Sequence, residues 1–138
     1  MFTGTSFHSI DSKGRIVLPL KFREELGEAF YITKGFTDCV QVMSKEQFEH
    51  LRQQIRMLPA NSAMSLQYVM ISPAVEVSPN SQGRIPIPQT LRETAGLEKD
   101  AVVVGMDTRV EIWDKERFDK FILSQQQNLN EALGMLRL

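Results

Sequence analysis

Residues 11–19 read DSKGRIVLP, and residues 80–88 read NSQGRIPIP. Each stretch has a polar opening, a glycine, an arginine directly after it, an apolar β-rich run and a closing proline. Sliding the chain so that Arg15 falls on Arg84 brings Ser12 onto Ser81, Gly14 onto Gly83, Ile16 onto Ile85 and Pro19 onto Pro88. The same shift aligns Arg23 with Arg92, Glu24 with Glu93 and Gly27 with Gly96. After a one-residue insertion, Gly35 meets Gly105, Val40 meets Val110, Lys45 meets Lys115 and Phe48 meets Phe118. A match over most of each half makes each half one structural unit.

Within the first unit, DSKG reads as a turn and RIVL as a short strand. Pro19 suits the first turn of a helix, where a missing N–H is harmless. Phe22 and Leu26 lie one helical turn apart, and Gly27 is a C-terminal stop. AFYITK is a second strand, GFTD a hairpin turn and CVQVM an alternating third strand. Ser44, with Gln47 three residues on, has capping-box spacing and starts a helix with Phe48, Leu51 and Ile55 as its apolar stripe. The second unit repeats the plan: RIPI, a short helix from Pro88 to Gly96, a hairpin of AVVVGM and RVEIW, then a helix capped by Asp114 with Phe118, Phe121 and Ile122 on one face. Between the units, LPANS separates, residues 63–70 read as a helix, and AVEV as a strand. The expected organisation is a first repeat over 1–58, a helical connector over 59–73, a second repeat over 74–127 and a helical tail over 128–138.

One such unit has too few strands to bury a core, so the two are expected to pack into one barrel-like core. Phe22, Phe48 and Phe118 are expected core residues, Cys39 a packed thiol, and Trp113 core or interface. Leu129, Leu133 and Leu136 stand at helical spacing in the tail. That stripe either closes the core or, the favoured reading, meets a neighbouring subunit.

The chain has 138 residues, 42% hydrophobic and 24% charged, as expected of a globular protein. No apolar run has the length of a membrane span, and the first residues lack a signal-peptide pattern, so a cytoplasmic setting is expected. A single cysteine and two histidines make a structural zinc site improbable; no cofactor or metal is expected. The net charge of −1 is unusual for a nucleic-acid binder, but the charge is unevenly placed. Residues 11–23 carry Lys13, Arg15, Lys21 and Arg23 against Asp11 alone, and residues 80–92 carry Arg84 and Arg92 with no acid.

Basic glycine turns of this kind suit DNA. Arginine presents a planar fork that bonds O6 and N7 of guanine, and glycine lets the backbone turn tightly. Arg15 and Arg84 are the candidate base readers, with Lys13, Lys21 and Arg23 as phosphate contacts. Asp11, Gly14, Asn80 and Gly83 would order the turns. The plainer reading of Asp11 and Arg15 is a surface ion pair bracketing a turn. An arginine kept at position 84, with no acid four residues before it, argues for more than that.

The duplicated turn, the matched prolines and the two long helices resemble the MraZ family of bacterial transcriptional regulators over essentially the whole chain. The resemblance implies an α+β fold in which two tandem repeats form an AbrB-like swapped-hairpin β-barrel decorated with helices. It further implies a ring-shaped homo-oligomer, association with the nucleoid, and binding to short direct repeats in double-stranded DNA upstream of the cell-division and cell-wall gene cluster that includes its own gene. This sequence has Asn80 where the family pattern has aspartate, so the second turn has no charged partner of its own for Arg84.

Two other classes compete. An oligomeric protein-interaction module without DNA binding would use the same turns against protein. An enzyme would need a paired base and nucleophile or a phosphate loop, and the chain shows neither, so no small-molecule substrate is expected.

Overall fold

The computed structural model describes all residues from Met1 to Leu138. Eight strands and six α-helices follow one another in the chain. The first half contains β1 (Thr5–Ser9), β2 (Arg15–Val17), α1 (Leu20–Leu26), β3 (Phe30–Lys34), β4 (Val40–Met43) and α2 (Lys45–Arg56). A connector, α3 (Ala60–Leu66), runs into a π-helical turn at Gln67–Ile71. The second half contains β5 (Val75–Val77), β6 (Arg84–Pro86), α4 (Gln89–Ala95), β7 (Asp100–Met106), β8 (Arg109–Asp114) and α5 (Lys115–Gln125). A 3-10 turn at Gln126–Asn128 leads to α6 (Leu129–Gly134).

The local signals work as their chemistry requires. The Gln47 N–H donates to Ser44 Oγ at 3.1 Å, and the Arg117 N–H donates to Asp114 Oδ2 at 3.1 Å, so both long helices are capped. Pro19 and Pro88 occupy the cap position itself, one residue before the first helical residue. Gly96 ends α4 in the left-handed conformation. The connector helix begins at Ala60, earlier than its apolar spacing predicts, because Pro59 supplies its N-terminus.

All pairing is antiparallel, and the halves exchange their opening strands. The main sheet has the order β1-β7-β8-β4-β3-β5. Strand β1 lies on the hairpin β7–β8 of the second half, while β5 lies on the hairpin β3–β4 of the first. Strands β4 and β8 join the two hairpins. Strands β2 and β6 leave the sheet and pair with each other, Ile16 opposite Ile85. One apolar cluster therefore draws on both halves: Ile16, Leu18 and Phe22 from the first meet Ile85, Ile87 and Leu91 from the second.

Two sequence expectations are corrected here, and one of two alternatives is excluded. Strand β4 does not alternate: Val40, Gln41, Val42 and Met43 are all buried. Val40 and Val42 face the main apolar cluster, and the opposite face, with Gln41 and Met43, is covered as well. Gln41 is held there by its Nε2, which donates to the Lys34 carbonyl at 2.9 Å. Phe118 is half-buried rather than core. With Phe121 it packs on Trp113, ring centroids 5.8 and 4.7 Å away, outside the main cluster. Helix α2 is buried more deeply, through Phe48 and Ile55, because α3 packs beside it and α5 has no such neighbour. Finally, Leu129, Leu133 and Leu136 do not close the core; each is about half exposed, at 50%, 51% and 54%.

Cys39 is buried beneath Trp113 in this outer cluster, and burial pushes its thiol up to about 12. It is therefore expected to resist alkylation at neutral pH until the protein is unfolded, which mass spectrometry after iodoacetamide treatment would read. Ile16→Ala, at the centre of the joint between the halves, is expected to cost about 2–5 kcal/mol in urea denaturation with an unchanged m-value.

Candidate nucleic-acid interface

The two glycine turns are built alike. In the first, Asp11 Oδ1 accepts from the backbone N–H groups of Lys13 and Arg15, both at 2.9 Å. The Asp11 N–H donates to the Arg15 carbonyl at 2.9 Å, and the Gly14 N–H to the Asp11 carbonyl at 3.0 Å. In the second, Asn80 Oδ1 accepts from the N–H groups of Gln82 and Arg84 at 2.9 and 3.0 Å. The amide oxygen reproduces the carboxylate's backbone role in full. Gly14 and Gly83 stand at φ 75° and 78°, a conformation that costs an L side chain about 1–2 kcal/mol.

The turns are brought side by side by β2 and β6. Their three ladder pairs are Arg15 with Pro86, Ile16 with Ile85 and Val17 with Arg84. The Leu18 N–H donating to the Gly83 carbonyl at 3.0 Å, and the Ile87 N–H donating to the Gly14 carbonyl at 2.9 Å, extend the ribbon into each turn. Because side chains alternate along a strand, Ile16 and Ile85 point into the core while Arg15, Val17, Arg84 and Pro86 share the outward face. The two arginine side chains are about one-third exposed, at 34% and 33%. The repeated sequence thus becomes a pseudo-two-fold ribbon with one guanidinium on either side of its axis.

Each turn is braced by a helix arginine of its own half that reaches under the glycine of the other. Arg23 Nε donates to the Leu18 carbonyl at 2.9 Å, and a Cβ on Gly83 would lie 2.8 Å from Arg23 Cζ. Arg92 donates through Nη1 to the Ile87 carbonyl, and a Cβ on Gly14 would lie 2.5 Å from Arg92 Cζ. Arg92 is a site residue that residue-by-residue reading passed over. The signal was its alignment with Arg23 in the repeat.

The remaining expected residues divide. Lys13 is exposed at the tip of the first turn. Lys21 is not brought to the ribbon: its Nζ lies 5.3 Å from the Phe22 ring centroid and beside Gly4, on the far side of α1 from Arg23. The second turn carries Gln82 where the first has Lys13, and a shallow depression beside Asn80 is lined by Glu24 and Glu28. The first turn therefore carries both signs, Asp11 against Lys13 and Arg15, whereas the second carries Arg84 alone.

Asp11 is the electrostatic centre. Its Oδ2 accepts from Arg15 Nε at 2.8 Å, and the same oxygen lies 3.9 Å from Arg84 Nε. The Arg15 backbone N–H holds the Asp11 carboxyl below the usual range, aided by the Arg15 guanidinium and the Lys13 N–H, against a smaller opposing effect of partial burial. No group of three or more His, Cys, Asp or Glu side chains is placed to hold a metal ion, and no helix is long and apolar enough to cross a membrane.

Two-stranded ribbons are an established alternative to a helix in a groove, and this one carries its paired arginines on the outward face. The chain belongs to the MraZ family: a family model described as "MraZ protein, putative antitoxin-like" matches it twice, at residues 1–66 and 70–134. The Transcriptional regulator MraZ of Acetivibrio thermocellus is 46% identical, with 99% of each chain covered. Those of Micrococcus luteus and Caldanaerobacter subterraneus are each 41% identical, over 96% and 95% of this chain and 94% and 93% of theirs. These relatives are named as regulators, not as enzymes.

Gly14→Ala is expected to destabilise. Beyond the backbone cost of its positive φ, a Cβ at Gly14 must push the Arg92 guanidinium off its carbonyl, a further loss of about 1 kcal/mol in thermal or urea unfolding. The Asp11 pKa is lower folded than unfolded. Its stabilisation is therefore complete above the ordinary aspartate range and lost as pH falls through the folded value. Acid-unfolding curves of Asp11→Asn should lack that component.

Proposed function

We propose that this protein is a sequence-specific DNA-binding transcriptional regulator. The reading rests on one observation above all: Arg15 and Arg84 stand on the outward face of a two-stranded ribbon whose inward face is anchored by Ile16 and Ile85. The major groove admits such a ribbon, and a guanidinium fork matches O6 and N7 of guanine. Arg15 and Arg84 read bases. Lys13 and Arg23 contact phosphates, Arg23 with the guanidinium nitrogens its brace leaves free, while Asp11, Gly14, Asn80 and Gly83 hold the turns. The names of the relatives support the regulatory role.

The finer reading places the two repeats in an AbrB-like swapped-hairpin barrel, with 1–58 and 74–127 as the repeats, 59–73 as connector and 128–138 as tail. The exchange of β1 and β5 between the halves supports it. The protein assembles as a ring-shaped homo-oligomer in the cytoplasm, associated with the nucleoid. It binds short direct repeats and represses the cell-division and cell-wall gene cluster that includes its own gene. The exposed leucines of the tail supply an apolar stripe for self-assembly. A ring gives a near-neutral chain tight binding, because once one ribbon engages a repeat the next acts at high effective concentration.

Selection of duplexes from a random DNA pool tests this directly, and enrichment of one short motif is the expected result. Affinity for it should fall steeply with salt, as phosphate contacts require. Arg15→Ala should abolish specific retention in a gel shift at physiological salt with fold and mass intact, and Arg84→Ala should lose less, since its own turn has Asn80 in place of a carboxylate. Ending the chain after Gln127 should lower the mass seen in light scattering.

A further inference from the structure

We infer that Asp11 is a counter-ion shared by both reading arginines, and that this one carboxylate positions Arg15 and Arg84 together for sequence discrimination. The inference rests on the DNA-binding reading above and deepens it.

The geometry that carries it is a single oxygen. Asp11 Oδ1 is used by the backbone of its own turn, which leaves Oδ2 facing outward along the ribbon. Arg15 Nε is 2.8 Å from Oδ2 and Arg84 Nε 3.9 Å, although Arg84 belongs to the other half of the chain. The antiparallel register makes this possible by setting Arg84 opposite Val17, two residues along β2 from Arg15 and on the same face. The second turn offers no carboxylate in return. Asn80 spends its Oδ1 on the backbone, and its remaining amide group is a donor that repels a guanidinium. Arg84 is otherwise held by its Nη1, which donates to Gln82 Oε1. The charged groups within 4 Å of the shared carboxylate are thus Arg15 and Arg84, both positive.

A guanidinium fixed before contact loses less side-chain freedom on binding, and it meets only the base edge that fits its orientation. Removing the fixing charge therefore affects discrimination first. It also removes an anion from a surface that approaches phosphates, so non-specific binding does not weaken.

The chemistry supplies a clean test, because Asn80 already shows that an asparagine holds this turn. Asp11→Asn keeps the Oδ1 bonds and removes only the shared charge. Binding is compared on a duplex selected from the random pool and on a scrambled duplex of equal length. The expected result is a fall of about fivefold to tenfold in the ratio of the two affinities, with the scrambled duplex bound at least as well as by the wild type. Combining Asp11→Asn with Asn80→Asp moves the carboxylate across the pseudo-two-fold axis, and the ratio should recover. An unchanged ratio in Asp11→Asn, or no recovery in the double variant, overturns the inference.

A second measurement needs no DNA. The Asp11 carboxyl is titrated by carbon NMR in the wild type, in Arg15→Ala and in Arg84→Ala. Both variants should raise its titration point; a shift in Arg15→Ala alone makes the carboxylate private to Arg15 and refutes the sharing. If the wild type retains no duplex from the pool, the DNA reading fails and the positioning role fails with it, while the titration still decides whether the charge is shared.

Discussion

The pairing of Ile16 with Ile85 is the constraint on which the rest depends. It is the central one of the three ladder pairs that join the two copies of the repeated motif, and both side chains are fully buried. A short strand of three residues has little stability alone. Here it is flanked by turn carbonyls that extend its ladder and by a core drawn from both halves. Displacing either isoleucine would unseat the ribbon and with it the relative position of both arginines.

The exchange of strands gives that ribbon a rigid base. Because β1 is laid on β7 and β5 on β3, neither half has a complete sheet without the other. The outward face of the ribbon is therefore set by the folding of the whole chain rather than by a mobile loop. The helix arginines act in the same sense: Arg23 and Arg92 fill the space that the turn glycines leave open, each tying its own helix to the opposite turn. Positive charge at this surface is thus divided by function. Arg15, Arg84 and Lys13 face outward, while part of the charge of Arg23 and Arg92 goes into holding the scaffold.

Symmetry in this molecule is built and then broken. The backbone of the two turns is nearly identical, hydrogen bond for hydrogen bond. Their charge is not. Asp11 corresponds to Asn80 and Lys13 to Gln82. A symmetric frame carrying asymmetric electrostatics is suited to a partner whose two contacted positions differ.

Much of this was legible in the sequence, for a reason that is itself physical. Turns, caps and short helices are set by neighbours a few residues apart, so Gly14, Pro19, Ser44, Gly96 and Asp114 announce their roles locally. The duplication announced two like units, and its arginines pointed to the outward face. What depended on contacts between distant residues was out of reach. The burial of Gln41 depends on what covers the outer face of β4, the half-burial of Phe118 on α5 lacking a neighbour, and the joint hold of Asp11 on Arg15 and Arg84 on the antiparallel register of β2 and β6. Sequence by itself determined which residues turn, cap and carry charge, because those are properties of a short segment. Only the tertiary structure decided which charges meet, because that is fixed by the register between strands far apart in the chain.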